Sequence, residues 1–225
     1  MTLTTRQHVL FDLDGTLVDT RAAVMGSYTR VFREKLDSPF PPQGFPAANL
    51  FAMRPAEVFA SVAPGRIEEL HAAYCEAYPV CAHLVKVFDG IRDMVLGLVA
   101  QGRRVSLVTN KGIERTLIDL DVAQIPPQTF STIVTAEDTI ERKPHPAPIL
   151  LGLSRLGANP NDGVYVGDGP HDIEAARAAG LSAVAVTYGF YARKDLVPYA
   201  PDSIADNVAE LCAVLGVAKV SMVQP

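Results

Sequence analysis

Apolar positions along this chain repeat with two periods that alternate. His8 to Phe11 forms a short run long enough for a buried strand. Over residues 90–101, Ile91, Met94, Val95, Leu98 and Val99 recur at the three- and four-residue spacing of one buried helix face. Gly102 follows, where glycine commonly ends a helix. Arg104 to Val108 is then a short β-branched run, hence a strand. The pattern continues with helices near 112–120, 146–156 and 171–179, and strands near 132–135, 163–166 and 182–186. Strand and helix alternating at this interval predict an α/β fold, a parallel sheet reached by right-handed crossovers and covered on both faces.

Residues 20–87 break that rhythm. Thr20 to Lys35 reads as a helix with Thr20 as its N-cap. Pro39, Pro41, Pro42, Gly44 and Pro46 then exclude long regular structure. Residues 47–86 read as short helices separated by Pro55, Pro64-Gly65 and Pro79, and no strand-like run appears between Leu17 and Val85. The expected organisation is a core domain of residues 1–18 and 88–225, with a helical insertion at 19–87.

The chemistry sits where the predicted strands end. Asp12 and Asp14 follow the first strand, one residue apart, and precede Gly15. Side chains two apart on a strand share a face, so both carboxylates can reach one small volume. Charges so close require a metal or a proton. Asp-x-Asp also occurs in calcium loops, sugar-nucleotide transferases and plain turns, but Gly-Thr-Leu-Val-Asp-Thr supplies no EF-hand ligand series after Asp14. The second of these strands ends in Thr109-Asn110-Lys111, and the fourth in Gly167-Asp168-Gly169-Pro170-His171-Asp172. Lys143, in Lys-Pro-His-Pro, precedes a helix whose N-terminus suits an anion. In open parallel sheets, ligands bind beyond the carboxyl ends of the strands. Asp12, Asp14, Asp168 and Asp172 against Lys143 alone call for a hard dication with oxygen ligands, and Mg²⁺ fits. Singly, Thr109 reads equally as a strand-end hydroxyl, Lys143 as a surface charge, and Asp168 and Asp172 as turn and cap residues.

Composition narrows the classes. A chain of 225 residues, 48% hydrophobic and 20% charged, reads as soluble and globular. Net charge of −5 without a basic cluster argues against a nucleic-acid partner. No apolar run approaches the ~18 residues that span a bilayer. Cys75, Cys81 and Cys212 are an odd count without Cys-x-x-Cys, which predicts core thiols in a reducing compartment. With no leader-like segment before the first strand, a cytoplasmic protein, monomeric or homodimeric, is expected.

Asp-x-Asp-Gly-Thr-Leu, Thr-Asn-Lys, Lys-Pro-His-Pro and Gly-Asp-x-x-x-Asp together resemble the four motifs of the haloacid dehalogenase superfamily of phosphatases. The helical insertion resembles the small α-helical cap of the subfamily that contains phosphoglycolate phosphatase. The resemblance implies a Rossmann-like core with the first strand central, and an active site under the cap. It implies Asp12 as the nucleophile that forms an aspartyl-phosphate, and Asp14 as the acid and then base that manages the proton. Mg²⁺ would sit on Asp12, the backbone carbonyl of Asp14, and Asp168. Thr109 and Lys143 would hold the phosphoryl oxygens, with Asn110 also expected to bind substrate. Asp172 would orient Lys143 or a metal-bound water, and Gly15 suits a backbone that turns close to the phosphate. The expected activity is Mg²⁺-dependent hydrolysis of a small phosphorylated metabolite. An inorganic pyrophosphatase, a nucleotidase and a non-catalytic binding protein on this fold are the alternatives.

Particular residues choose among relatives. Asp14 disfavours a dehalogenase, which has no leaving alcohol to protonate. Residues 36–85 hold no lysine for the Schiff base of a phosphonate hydrolase. Thr16 leans against a sugar-phosphate mutase. Gly169 departs from the family's usual Ser or Thr, and Phe51-Ala52-Met53-Arg54-Pro55 departs in a cap loop that often carries glycine. In that loop Arg54 reads equally as a contact to a substrate anion and as a solvated helix-end arginine. His145 and His171 read as helix-start or rim residues, and His71, Tyr74, Tyr78 and His83 as packing or surface.

Overall fold

The computed structural model describes residues 3–43, 45, 50, 51 and 53–217. Gly44 and Pro46 of the proline-rich segment, and Ala52 of the cap loop, lie outside the described residues. The strands are β1 (His8–Phe11), β2 (Val18–Asp19), β3 (Lys86–Val87), β4 (Arg104–Val108), β5 (Thr132–Val134), β6 (Gly163–Gly167), β7 (Ser182–Val186) and β8 (Ser203–Ala205). The α-helices are α1 (Arg21–Leu36), α2 (Pro55–Val62), α3 (Ile67–Cys81), α4 (Ile91–Ala100), α5 (Ile113–Val122), α6 (Ala147–Leu156), α7 (Pro170–Ala178), α8 (Arg193–Leu196) and α9 (Val208–Leu215).

Six strands form one sheet in the order β5-β4-β1-β6-β7-β8, and β2 pairs with β3 in a second. All pairings in the large sheet are parallel, with Val9 aligned to Val105 on one side and Val164 on the other. The fold is thus the Rossmann-like α/β arrangement expected, with β1 central. Every β1 side chain is buried, as both-face coverage requires. Leu10, Val108, Val134 and Tyr165 join one face to Ile149 and Leu153 of α6 and Ile173 and Ala176 of α7. Strand alternation turns Val9, Phe11, Val105, Leu107, Val164 and Val166 to the other face, and all are fully buried.

The chain divides into two compact units, Met1–Asp19 with Val87–Pro225, and Thr20–Lys86. The second holds α1, α2 and α3 around an aromatic core in which Tyr28 meets Phe40, Phe59 and Tyr74 with ring centres 4.7–5.7 Å apart. Tyr74 and Tyr78 are therefore packing residues, fully buried. No helix among the described residues is long and apolar enough to cross a membrane.

Several expectations need correction. Thr20 stands at the N-cap of α1, yet its side chain makes no capping bond; its ψ of 3° leaves the extended conformation that capping uses. Pro79 does not separate helices but lies inside the last turn of α3, where a missing N–H costs one bond. Val99 is 40% exposed at the margin of a stripe that buries Ile91, Met94, Val95 and Leu98. β2 falls in the stretch where the pattern shows no strand-like run, because a two-residue strand leaves no periodic trace. β8 and α9 escaped notice, although Asn207 caps α9 by accepting from the Glu210 amide at 2.9 Å and Gly216 ends it. Cys81 is buried, but Cys75 and Cys212 are only partly so.

Candidate active site

The carboxyl ends of β1, β4 and β6 lie side by side because these strands are parallel neighbours. Each ladder runs one residue further where it matters: the Asp12 amide donates to Val166 O and the Thr109 amide to Val134 O, both at 2.9 Å. Asp12, Thr109 and Asp168 are thereby held at one edge, and all are buried. Oxygens of Asp12, Asp168 and Asp172 lie within 4.8 Å of one another.

Lys143 enters this cluster from the loop before α6 and is 2% exposed. Its ammonium donates to Asp12 Oδ1, Asp172 Oδ1 and the Tyr165 hydroxyl, each at 2.7 Å. Three donors meet three acceptors, so the charge is fully bonded. The Tyr165 hydroxyl in turn donates to Val108 O at 2.7 Å. Asp172 also accepts from the Gly169 amide at 3.0 Å, which ties it to the start of α7. Asp168 accepts from the Phe190 amide at 2.6 Å.

Burial dominates the electrostatics. It pushes the Asp12 carboxyl up to about 7 despite Lys143, with Asp172 and Asp14 adding repulsion. Burial likewise raises Asp168 well above the carboxylate range. Burial alone would lower Lys143, but Asp12 and Asp172 outweigh it and keep the ammonium charged. For Asp172 burial is overcome by His171, Lys143 and the Gly169 amide, so its carboxyl is held down. Acids that resist ionising beside one that does not are a common mark of a functional site.

Gly15 has φ +82°, and a Cβ there would come within 2.1 Å of Asp168 Oδ2. Its close approach is thus to a carboxylate of the cluster. At Gly169, where the sequence departs from the family, a side chain would run into the His171 ring, 2.3 Å from its Cε1. His145 is a helix-start residue, its Nδ1 accepting from the Ala147 amide at 3.2 Å.

The Asn110 side-chain amide is engaged by the loop that carries Lys143. It donates to Lys143 O and accepts from the Lys143 amide, both at 3.0 Å, and so clamps the main chain of that lysine. Asp14 turns its side chain to Lys111, 2.8 Å from the ammonium. Lys111 is also ion-paired to Asp119 of α5. The charge count made from the motifs was therefore incomplete, by Lys111 on one side and Asp119 on the other. Both were missed, as was Tyr165; a carboxylate on the buried face of α5, beside Thr116 and Leu120, was the available signal. Arg54 belongs to the other compact unit, where its guanidinium bonds Glu57 at 3.2–3.3 Å and is 53% exposed.

Residues 9–186, most of the chain, match the family model for haloacid dehalogenase-like hydrolases. The chain belongs to this family. Pyrophosphatase PpaX of Bacillus pumilus is 31% identical over 212 residues, covering 92% of this chain and 95% of the relative. A haloacid dehalogenase-like hydrolase from Streptococcus pneumoniae superposes with a TM-score of 0.78 at 26% identity, covering 93% and 98% of the two chains. A predicted phosphoglycolate phosphatase from Haemophilus somnus gives 0.82 at 24% identity, covering 95% and 99%, a likeness of fold. The chain is accordingly an enzyme of the haloacid dehalogenase-like family, a hydrolase of the phosphatase kind, and the non-catalytic alternative falls away.

Proposed function

We propose that this enzyme hydrolyses a small phosphate ester with Mg²⁺, through an aspartyl-phosphate on Asp12. The observation that carries the proposal is the buried contact of 2.7 Å between Asp12 Oδ1 and Lys143 Nζ at the end of the central strand. There a carboxylate nucleophile stands beside the cation that would receive a phosphoryl oxygen. The cluster also suits a metal: three buried carboxylates share one small volume, and burial opposes ionisation of two of them. A hard dication relieves that opposition, and oxygen donors are what Mg²⁺ takes. Asp12, Asp168 and the backbone carbonyl of Asp14 would hold it, and it would supply charge neutralisation for the incoming phosphate.

In the first half-reaction an Asp12 oxygen attacks phosphorus. The bond from phosphorus to the leaving oxygen breaks, and Asp14 gives that oxygen its proton. In the second, Asp14, now ionised, takes a proton from water as the water oxygen attacks phosphorus. The Asp12–phosphorus bond breaks, which frees orthophosphate and restores both carboxyl groups. Lys143 exchanges its bond to Asp12 for a phosphoryl oxygen while Asp172 and Tyr165 hold it in place, and Thr109 supplies a second donor. Asn110 acts indirectly, through the main chain of Lys143. Residues 19–87 would serve as the cap domain, with Arg54, already paired to Glu57 through Nε and Nη2, as its candidate for a substrate anion.

Asp12→Asn is expected to abolish turnover while leaving the circular dichroism spectrum and melting temperature near those of the parent. Full activity in this variant would overturn the nucleophile assignment. The likeness to pyrophosphatase PpaX favours pyrophosphate as a second candidate substrate. Phosphate release from phosphoglycolate, pyrophosphate and a nucleotide, measured with and without Mg²⁺, separates the readings.

A further inference from the structure

Lys111 and Asp119 form a charged pair that the mechanism above does not use. Asp119 sits on the inner face of α5 with no solvent exposure, and Lys111 is 6% exposed. A buried ion pair is a poor route to stability, since removing two charges from water costs about as much as their attraction returns. An apolar pair would pack α5 as well. The pair also ends on a third group, because Lys111 Nζ lies 2.8 Å from Asp14 Oδ1. The base of the lysine is set independently: its amide donates to Thr109 Oγ1 at 3.1 Å, in the same loop that clamps Lys143 through Asn110. Lys111 is thus anchored at its main chain and at Asp119, and its remaining reach is directed at Asp14. Asp14 itself is 24% exposed, so the Lys111 contact engages a carboxyl group that lies partly in solvent.

We infer that Lys111 is a positioning residue: held by Asp119, it sets the direction of the Asp14 carboxyl group and thereby governs proton transfer to and from the reacting oxygen. The inference rests on the acid–base role proposed for Asp14. A proton donor must stand within hydrogen-bond reach of the atom it serves, so a carboxyl group left to wander loses rate without any loss of substrate contact.

The test compares leaving groups in the first turnover. An alkyl phosphate needs a proton on its departing oxygen, whereas p-nitrophenyl phosphate releases a stable anion that needs none. Lys111→Met strands the Asp119 charge in the core, so Lys111→Met/Asp119→Leu, which removes both ends, is measured alongside it. Either variant is expected to slow the first-turnover release of alkyl alcohol by about 10- to 100-fold, the usual loss when a supporting contact is removed. Release of nitrophenolate should change by less than about threefold, and the substrate concentration that half-saturates the first turnover should stay near that of the parent. Breakdown of the phosphoenzyme should slow for both substrates, because Asp14 then acts as the base. Lys111→Arg, which keeps the charge, should recover part of the rate.

Asp14→Asn is the reference. If it fails to separate the two leaving groups, the acid–base reading of Asp14 fails. If it separates them and the Lys111 variants do not, the positioning role fails alone. A raised half-saturating concentration with unchanged first-turnover rates would make Lys111 a substrate contact, and a loss that adds fully to that of Asp14→Asn would make it act elsewhere. Either result overturns the inference.

Discussion

Lys143 carries more of the site than any other single side chain. Its ammonium touches Asp12, Asp172 and Tyr165 at equal distances, and the main chain beneath it is clamped by Asn110. Lys143→Met would leave the buried Asp12 and Asp172 carboxyl groups without the cation that bridges them. Loss of one partner from such a buried pair costs about 3–5 kcal/mol, which thermal or urea unfolding would register. Turnover should fall by about 100-fold or more, as when a donor to the transition state is removed. Lys143 was legible because Lys-Pro-His-Pro is a local motif. Lys111 stood in a motif too, but its partner Asp119 lies eight residues on and across a helix turn, so the pairing left no compact signature. Asn110 carries a role its motif did not announce: its side-chain amide is bonded to the main chain of Lys143 in a neighbouring loop.

At the scale of elements, α4 shows how far periodicity reaches. Its stripe is real, and Ile91, Met94, Val95 and Leu98 are all fully or almost fully buried. Val99 belongs to the same arithmetic but lies at the stripe's edge. Leu98→Ala should therefore cost about 2–5 kcal/mol, the range for emptying a core position. Val99→Ser should stay within about 0.5 kcal/mol of the parent, as surface changes do. Equal losses in the two variants, read from denaturant midpoints, would mean that the boundary of the buried face is misplaced. The elements that escaped sequence reading are mostly short: β2 and β3 have two residues and β8 has three. Alternation needs more residues than that to become visible, and such strands owe their existence to the partner they pair with.

At the scale of the whole molecule, the buried carboxyl groups link pH to stability, and the proposed metal would enter the same linkage. Asp12 moves from the ordinary 3.8 up to about 7, and Asp168 moves in the same direction, both chiefly through burial. An acid raised on folding favours the folded state while protonated. That contribution is complete below the unfolded value and is lost as pH rises from about 4 to about 7. Asp172, held down, runs the other way, and its contribution is lost only as pH falls below the ordinary carboxylate range. Metal binding needs the ionised oxygens, so Mg²⁺ should return what the first two lose. The gain in melting temperature on replacing EDTA with Mg²⁺ is expected to be larger at pH 8 than at pH 5. An equal gain at both values would count against a metal held by these carboxyl groups.

The sequence by itself determined the alternation of strand and helix, the parallel core and the helical interruption after the first strand, and it singled out Asp12, Asp14, Thr109, Lys143, Asp168 and Asp172 as the candidate chemical set. Those features are local, written in spacing within a few residues or in motifs at predicted strand ends. Only the tertiary structure decided which charges meet. Lys143 reaches Asp12 across 131 positions of chain, and Lys111 reaches Asp14 across 97. Such pairings depend on which strands lie beside β1 and on how deeply each carboxyl group is buried. Burial then sets which acids resist ionisation, and no spacing along the chain records that depth.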